Sequence, residues 1–275
     1  MKALRVALAQ SHSSVGTETY DPRDDNLERA VVLLQRAAKE RAQLAVFGEM
    51  YLTGYRTDEH LWRYATAVEP PDHHLEVLLE VARDVNVHVI IGAATSGPFL
   101  PGDVYNSALF IGPAGLIGVY RKTHLAAFYY RNTLAMERTF YSPGQELPVF
   151  DSALGTIGIH ICNDINFPEV SRVQALKGAE VLVNVSASAV GMEEQWEHLL
   201  FARAVENATW YVVCSVVGEQ RGDVLFGGSR VIDPFGTVVA AATDHAEDFV
   251  IATLDSNVAR RTRASSHVFS SRRPA

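Results

Sequence analysis

Residues 155–169, GTIGIHICNDINFPE, ask for a strand, an abrupt turn and a helix in immediate succession. Residues 156–161 are apolar and β-branched behind Gly155, which predicts a buried strand. Pro168 and Glu169 then open a helical pattern, and proline suits a first turn, where its missing N–H is not needed. Such a strand–turn–helix step belongs to an α/β chain. Cys162 falls at the break, where a side chain can stand at a sheet edge beside free backbone N–H groups. A nucleophile needs that exposure. A packed thiol occurs as readily, since free cysteine is among the most buried residue types.

The same alternation runs through the chain. Strands are expected over residues 4–9, 44–47, 87–94, 181–186, 210–217 and 249–254. Helices are expected over 26–41, 75–85 and 193–208, where apolar residues recur at three-four spacing. Residues 105–111 and 116–120 flank Gly112-Pro113-Ala114-Gly115, and residues 229–232 and 237–242 flank Asp233-Pro234-Phe235-Gly236. Both read as hairpins, one in each half of the chain. No low-complexity linker interrupts the pattern, so residues 1–275 read as a single domain. Its basic, serine-rich extended tail, from about residue 259, is either frayed or laid across a neighbouring surface.

A net charge of -8 argues against a nucleic-acid binder or a polybasic membrane anchor. No apolar run approaches a membrane span, and the N-terminus lacks a signal-peptide pattern, so a cytoplasmic location is expected. Two distant cysteines give no disulfide framework, and the histidines show no zinc-type spacing. Cys214, inside WYVVCSVVG, reads as packed.

Glu49 follows the strand 44–47, and Lys122 follows the strand 116–120, as Cys162 follows its own. Strand ends are where α/β proteins assemble sites. Taken singly, the glutamate could be a cap and the lysine a solvated surface charge.

Together, LAVFGEMYLTGY around Glu49, GLIGVYRKTHL around Lys122 and GIHICNDINFPE around Cys162 resemble the nitrilase superfamily of carbon–nitrogen hydrolases. MERTFYSPG, ALKGAEVLVNVSA and WEHLLFARAVENA extend the resemblance over nearly the whole chain. It implies a four-layer α-β-β-α sandwich and acyl transfer through Glu49, Lys122 and Cys162. Cys162 would form a thioester, Glu49 would move the protons, and Lys122 with a backbone N–H, that of Asn163, would hold the oxyanion. Glu137 resembles a second glutamate that orients substrate or leaving group. The resemblance leaves His124 and His160 in supporting roles, although His160 precedes Cys162 by two residues and invites a Cys–His reading.

The aromatic loop 124–142 offers Phe128 and Tyr129 as pocket walls, and Ala187 and Ser188 in SASAVG would form another. Asn163-Asp164 replaces the Trp-Glu pair of nitrile-cleaving relatives and favours an amide or carbamoyl substrate. Carbamoyl-amino-acid hydrolases carry arginines after the Cys-Asn-Asp run; here Ile165 and Asn166 stand there, leaving Arg131 or Arg138 as candidate carboxylate clamps. Gly48 stands where relatives have proline, a change expected to be tolerated. The reading is a hydrolase without cofactor or metal, acting on a small linear amide or N-carbamoyl compound. Its rivals are a nitrilase, an amide-forming acyltransferase and a non-catalytic binding protein. Family habit implies a homodimer or larger homo-oligomer.

Overall fold

The computed structural model describes residues 3–55, 61–97, 102–130, 133–220 and 222–273, with the side chains of 128–130 and 133–134 outside that description. β1 (Leu4–Gln10), β2 (Leu44–Phe47), β3 (His88–Ser96), β4 (Val104–Gly112) and β5 (Gly115–Arg121) lie side by side in one sheet. Two ribbons follow from shorter strands: β6 (Ala127–Tyr130) pairs with β7 (Thr133–Met136), and β12 (Val217–Gln220) with β13 (Asp223–Phe226). The second sheet comprises β8 (Val149–Ser152), β9 (Gly155–Ile161), β10 (Val181–Ser186), β11 (Trp210–Ser215), β14 (Arg230–Ile232) and β15 (Val238–Ala241). A late strand, β16 (Asp248–Leu254), returns antiparallel to β1 and completes the first sheet.

Each sheet has a parallel centre, β1-β2-β3 in one and β9-β10-β11 in the other. Each also carries one of the two expected hairpins, β4–β5 and β14–β15. Strands buried on both faces need apolar residues at every position, and β2 shows why. Leu44 and Val46 face the other sheet, alongside Ile159, Val183 and Val212, while Ala45 and Phe47 face outward.

Outside the first sheet lie α1 (Arg23–Lys39) and α2 (His73–Val85), packed through Leu27, Leu34, Leu75 and Leu78. Between β7 and β8 in chain order lies a short helix, α3 (Glu137–Phe140). Outside the second sheet lie α4 (Pro168–Leu176) and α5 (Glu193–Asn207); Trp196, Leu200 and Ala204 of α5 cover Leu182, Tyr211 and Val213. The layers run helix, sheet, sheet, helix. This is the α-β-β-α sandwich expected from the resemblance.

Three segments differ from the sequence reading. The run 210–217 breaks at Val216, because that residue's N–H turns to Ser186 O, 2.9 Å away, and the chain leaves the sheet for β12. An unbroken apolar run gives no sign of such a bend. The aromatic loop contains the β6–β7 ribbon and α3. The basic C-terminal stretch is helical, forming α6 (Ser256–Ser265) and α7 (His267–Ser270) rather than extended chain. Asp255 caps α6 through Asn257 N, Ala259 enters the core between the sheets, and Arg263 donates to Ala179 O and Ala208 O.

Candidate active site

Glu49, Lys122 and Cys162 each lie just past the C-terminal end of a strand, β2, β5 and β9, while Glu137 opens α3. The turn that presents Glu49 is pressed between neighbours. A Cβ on Gly48 would fall 2.5 Å from Val216 N and 2.9 Å from Ser186 O, so only glycine fits there. A Cβ on Gly92 of β3 would likewise strike Met50 N and Gly48 O. Glu49 N donates to Ser186 O at 3.0 Å, tying this turn to the second sheet.

Three of the four residues form a buried cluster with no exposed surface. Lys122 Nζ lies 2.7 Å from Glu49 Oε1 and 2.8 Å from Glu137 Oε1. Burial alone would lower the Lys122 ammonium, but Glu137 and Glu49 outweigh it and hold the group well above its ordinary range. Burial and the Glu137 charge push Glu49 up, against the pull of Lys122 and Asn106.

Asn106 of β4 was not foreseen. Its Nδ2 donates to Glu49 Oε1 at 2.7 Å and reaches Glu137 Oε1 at 3.2 Å. Tyr55 OH donates to the same Glu137 oxygen at 2.8 Å, and Glu137 Oε2 accepts the Ala126 N–H at 2.6 Å. Glu137 is therefore spent on fixed donors. Glu49 differs: its Oε2 is buried without a hydrogen-bond partner among the described residues. That oxygen is free to take a proton.

Cys162 follows β9 with φ of 41°, a left-handed conformation that costs a non-glycine residue about 1–3 kcal/mol and clusters at functional sites. Asp164 holds this turn. Buried completely, it accepts from Ile161 N (3.0 Å), Tyr120 OH (2.8 Å), Thr123 Oγ1 (3.0 Å) and His124 N (2.9 Å). Burial would raise its carboxyl, but the His124 and Ile161 hydrogen bonds keep it below the usual range. The chain beyond Lys122 is thus clasped to the turn carrying Cys162.

Burial and the Glu49 charge push the Cys162 thiol up to about 12, against Lys122 and a hydrogen bond with Ser186. The sulfur therefore rests as a thiol at neutral pH. A pocket of about 240 Å³ opens over Cys162, with Asn163, Ala187 and Ser188 among its walls. Asn163 Nδ2 donates to His124 O at 3.0 Å. Phe128 and Tyr129 have side chains outside the description. Tyr55, Trp196, Leu199 and the β12–β13 ribbon also line the pocket. These walls come from segments distant along the chain.

Neither His124 nor His160 is among the described residues lining the pocket. His160 is buried, its Nδ1 3.0 Å from Gln174 Oε1 and its Nε2 2.7 Å from Tyr211 OH. The same-face argument fails because β9 ends at Ile161 and the backbone turns at Cys162. His124 stacks on Phe167 at 3.8 Å and contacts Asp164 at 3.0 Å. Ile165 packs in the core and Asn166 lines the pocket, while Arg138 is exposed and Arg131 lies outside the described residues. Among the described residues, no group of His, Cys, Asp and Glu is arranged to hold a metal ion, and no helix is long and apolar enough to cross a membrane.

A family model described as carbon-nitrogen hydrolase matches residues 5–264. A nitrilase of Pyrococcus abyssi is 35% identical over 244 residues, covering 87% of either protein. An omega-amidase of Bos taurus is 30% identical over 278 residues, covering 99% of this chain and 96% of its own. Among solved structures, Saccharomyces cerevisiae Nit3, of branch 10 of the nitrilase superfamily, aligns with a TM-score of 0.84 at 28% identity, over 96% of this chain and 94% of that one. An amidase from Nesterenkonia aligns with a TM-score of 0.78 at 25% identity, over 95% of this chain and 94% of that one. With its two-sheet sandwich and the match along nearly its full length, the chain belongs to the carbon–nitrogen hydrolase family of the nitrilase superfamily, enzymes that hydrolyse C–N bonds.

Proposed function

We propose that the protein is a cysteine-dependent amidohydrolase for a small linear amide or N-carbamoyl compound, working as one catalytic unit through a thioester. The observation that carries this reading is the unpartnered, buried Glu49 Oε2 in a cluster that acts electrostatically on the Cys162 thiol. Glu49 takes the thiol proton as Sγ bonds to the carbonyl carbon and the C=O electron pair moves to oxygen. Lys122 and the Asn163 N–H stabilise that oxyanion. The C–N bond then breaks, with the Glu49 proton passing to the leaving nitrogen. Water attacks the thioester, giving Glu49 a proton that returns to the departing sulfur. Glu137, held by four donors, keeps Lys122 charged and in place. A raised Glu49 suits this shuttle, since a base works best when its pKa lies near the operating pH.

The omega-amidase and amidase relatives support an amide over a nitrile. Two free cysteines suit a reducing, cytoplasmic setting. Exposed Val205, Phe235 and Val239, on α5 and the β14–β15 hairpin, support assembly with a second copy.

An ammonia-release screen over amides, carbamoyl amines, carbamoyl amino acids and nitriles tests the reading, with Cys162→Ala alongside. Turnover of an amide or carbamoyl compound by the wild type alone is expected. Hydroxamate formation with added hydroxylamine traps the thioester. Equal ammonia from the alanine variant removes Cys162 from the mechanism.

A further inference from the structure

We propose that the pocket selects linear amides whose far end carries a protonated amine, and that Asp223 recognises that cation. This rests on the amidohydrolase reading and names its substrate class.

Asp223 starts β13 and faces Gln220 across the ribbon. It is the one formally charged side chain among the described residues lining the pocket over Cys162. The other polar walls, Asn163, Asn166, Ser188, Gln195 and Gln220, are neutral. Asp223 has no hydrogen-bond or ion-pair partner among the described residues, and partial burial pushes its carboxyl up. The ribbon that carries it is fixed. Gln220 donates to Ser13 O at 3.0 Å and Ser13 Oγ at 2.7 Å, and accepts the Tyr55 N–H at 2.9 Å. Arg203 of α5 is spent on Ile165 O and Glu206. A fixed carboxylate without a partner among the described residues attracts an ammonium and repels a substrate carboxylate.

Asp223 is exposed, so the preference is modest, about fivefold, and shrinks as salt is added. The test compares 5-aminopentanamide, pentanamide and glutaramate, which share chain length and differ in terminal charge. kcat/KM is measured for wild type, Asp223→Asn and Asp223→Glu, and binding to Cys162→Ala by calorimetry. The expected order is cation, neutral, anion, with the cation-to-neutral ratio falling to about one in Asp223→Asn and recovering in part in Asp223→Glu. An unchanged ratio in Asp223→Asn, or tightest binding of glutaramate, overturns the proposal. Binding in the expected order without turnover supports it and counts against the amidohydrolase reading. Turnover with no charge order does the reverse.

Discussion

The Asn106 amide donates to Glu49 Oε1 across 2.7 Å, while Glu49 Oε2 is buried with no partner among the described residues. One oxygen of the carboxylate is thus anchored and the other is available, which is the division a proton shuttle needs. Asn106 is a positioning residue in this arrangement.

Asn106→Ala removes a hydrogen bond to a charged group, worth about 1.5–3 kcal/mol. kcat is expected to fall roughly tenfold to a hundredfold, with KM little changed. Asn106 helps to lower Glu49, so its loss raises that carboxyl further and moves the acid limb of the rate profile to higher pH. A pH profile of kcat/KM checks this. An unmoved limb argues against the role.

Lys122→Met leaves Glu49 and Glu137 buried together without their cation. Breaking a buried pair in this way costs about 3–5 kcal/mol of stability. Loss of the oxyanion donor should cut turnover by a further 10²–10³-fold or so. Adding Glu137→Gln should return part of the stability and none of the activity. Denaturant midpoints and ammonia release separate the two effects.

Gly48→Ala forces a methyl group against Val216 N at 2.5 Å, where backbone must shift. Overpacking of this kind costs about 1–3 kcal/mol. Glu49 N–H is bonded to Ser186 O one residue away, so the base moves with it. Expected are a lower melting temperature and a drop in kcat. Wild-type values for both would show that the turn has room.

Acid should weaken the fold through His160. Burial pushes this imidazole down to about 4, so the native state stays neutral where an unfolded chain, near 6.5, has bound a proton. The unfolded state then holds more protons between those values, and stability falls as pH drops through the window. The loss from pH 7 to 5 is about 2 kcal/mol by this linkage. Urea melts at the two pH values should show it, and His160→Gln should flatten that part of the dependence.

Much of the fold was legible in order along the chain. β10 spans Val181–Ser186, as its apolar run indicates, and both Pro-Gly turns close the hairpins they mark. Glu49, Lys122 and Cys162 each sit where an apolar strand stops, and the resemblance to the nitrilase superfamily singled them out together. Asn106 and Tyr55 gave no such mark. An asparagine inside β4 and a tyrosine in a turn look ordinary until tertiary contacts bring them against Glu49 and Glu137. Asp164 was visible only as a neighbour of the cysteine; its five hydrogen bonds come largely from the Lys122 segment.

The sequence by itself determined the alternation of strands and helices, the burial of both sheet faces and the acid, cation and thiol at strand ends. Those are local matters, set by apolar periodicity and turn residues within a few positions. The tertiary structure decided which Glu49 oxygen stays free, that Gly48 and Gly92 cannot carry a side chain, and that Asp223 stands in the pocket wall. Such properties depend on close approach of segments far apart in the chain, and no local pattern encodes that distance.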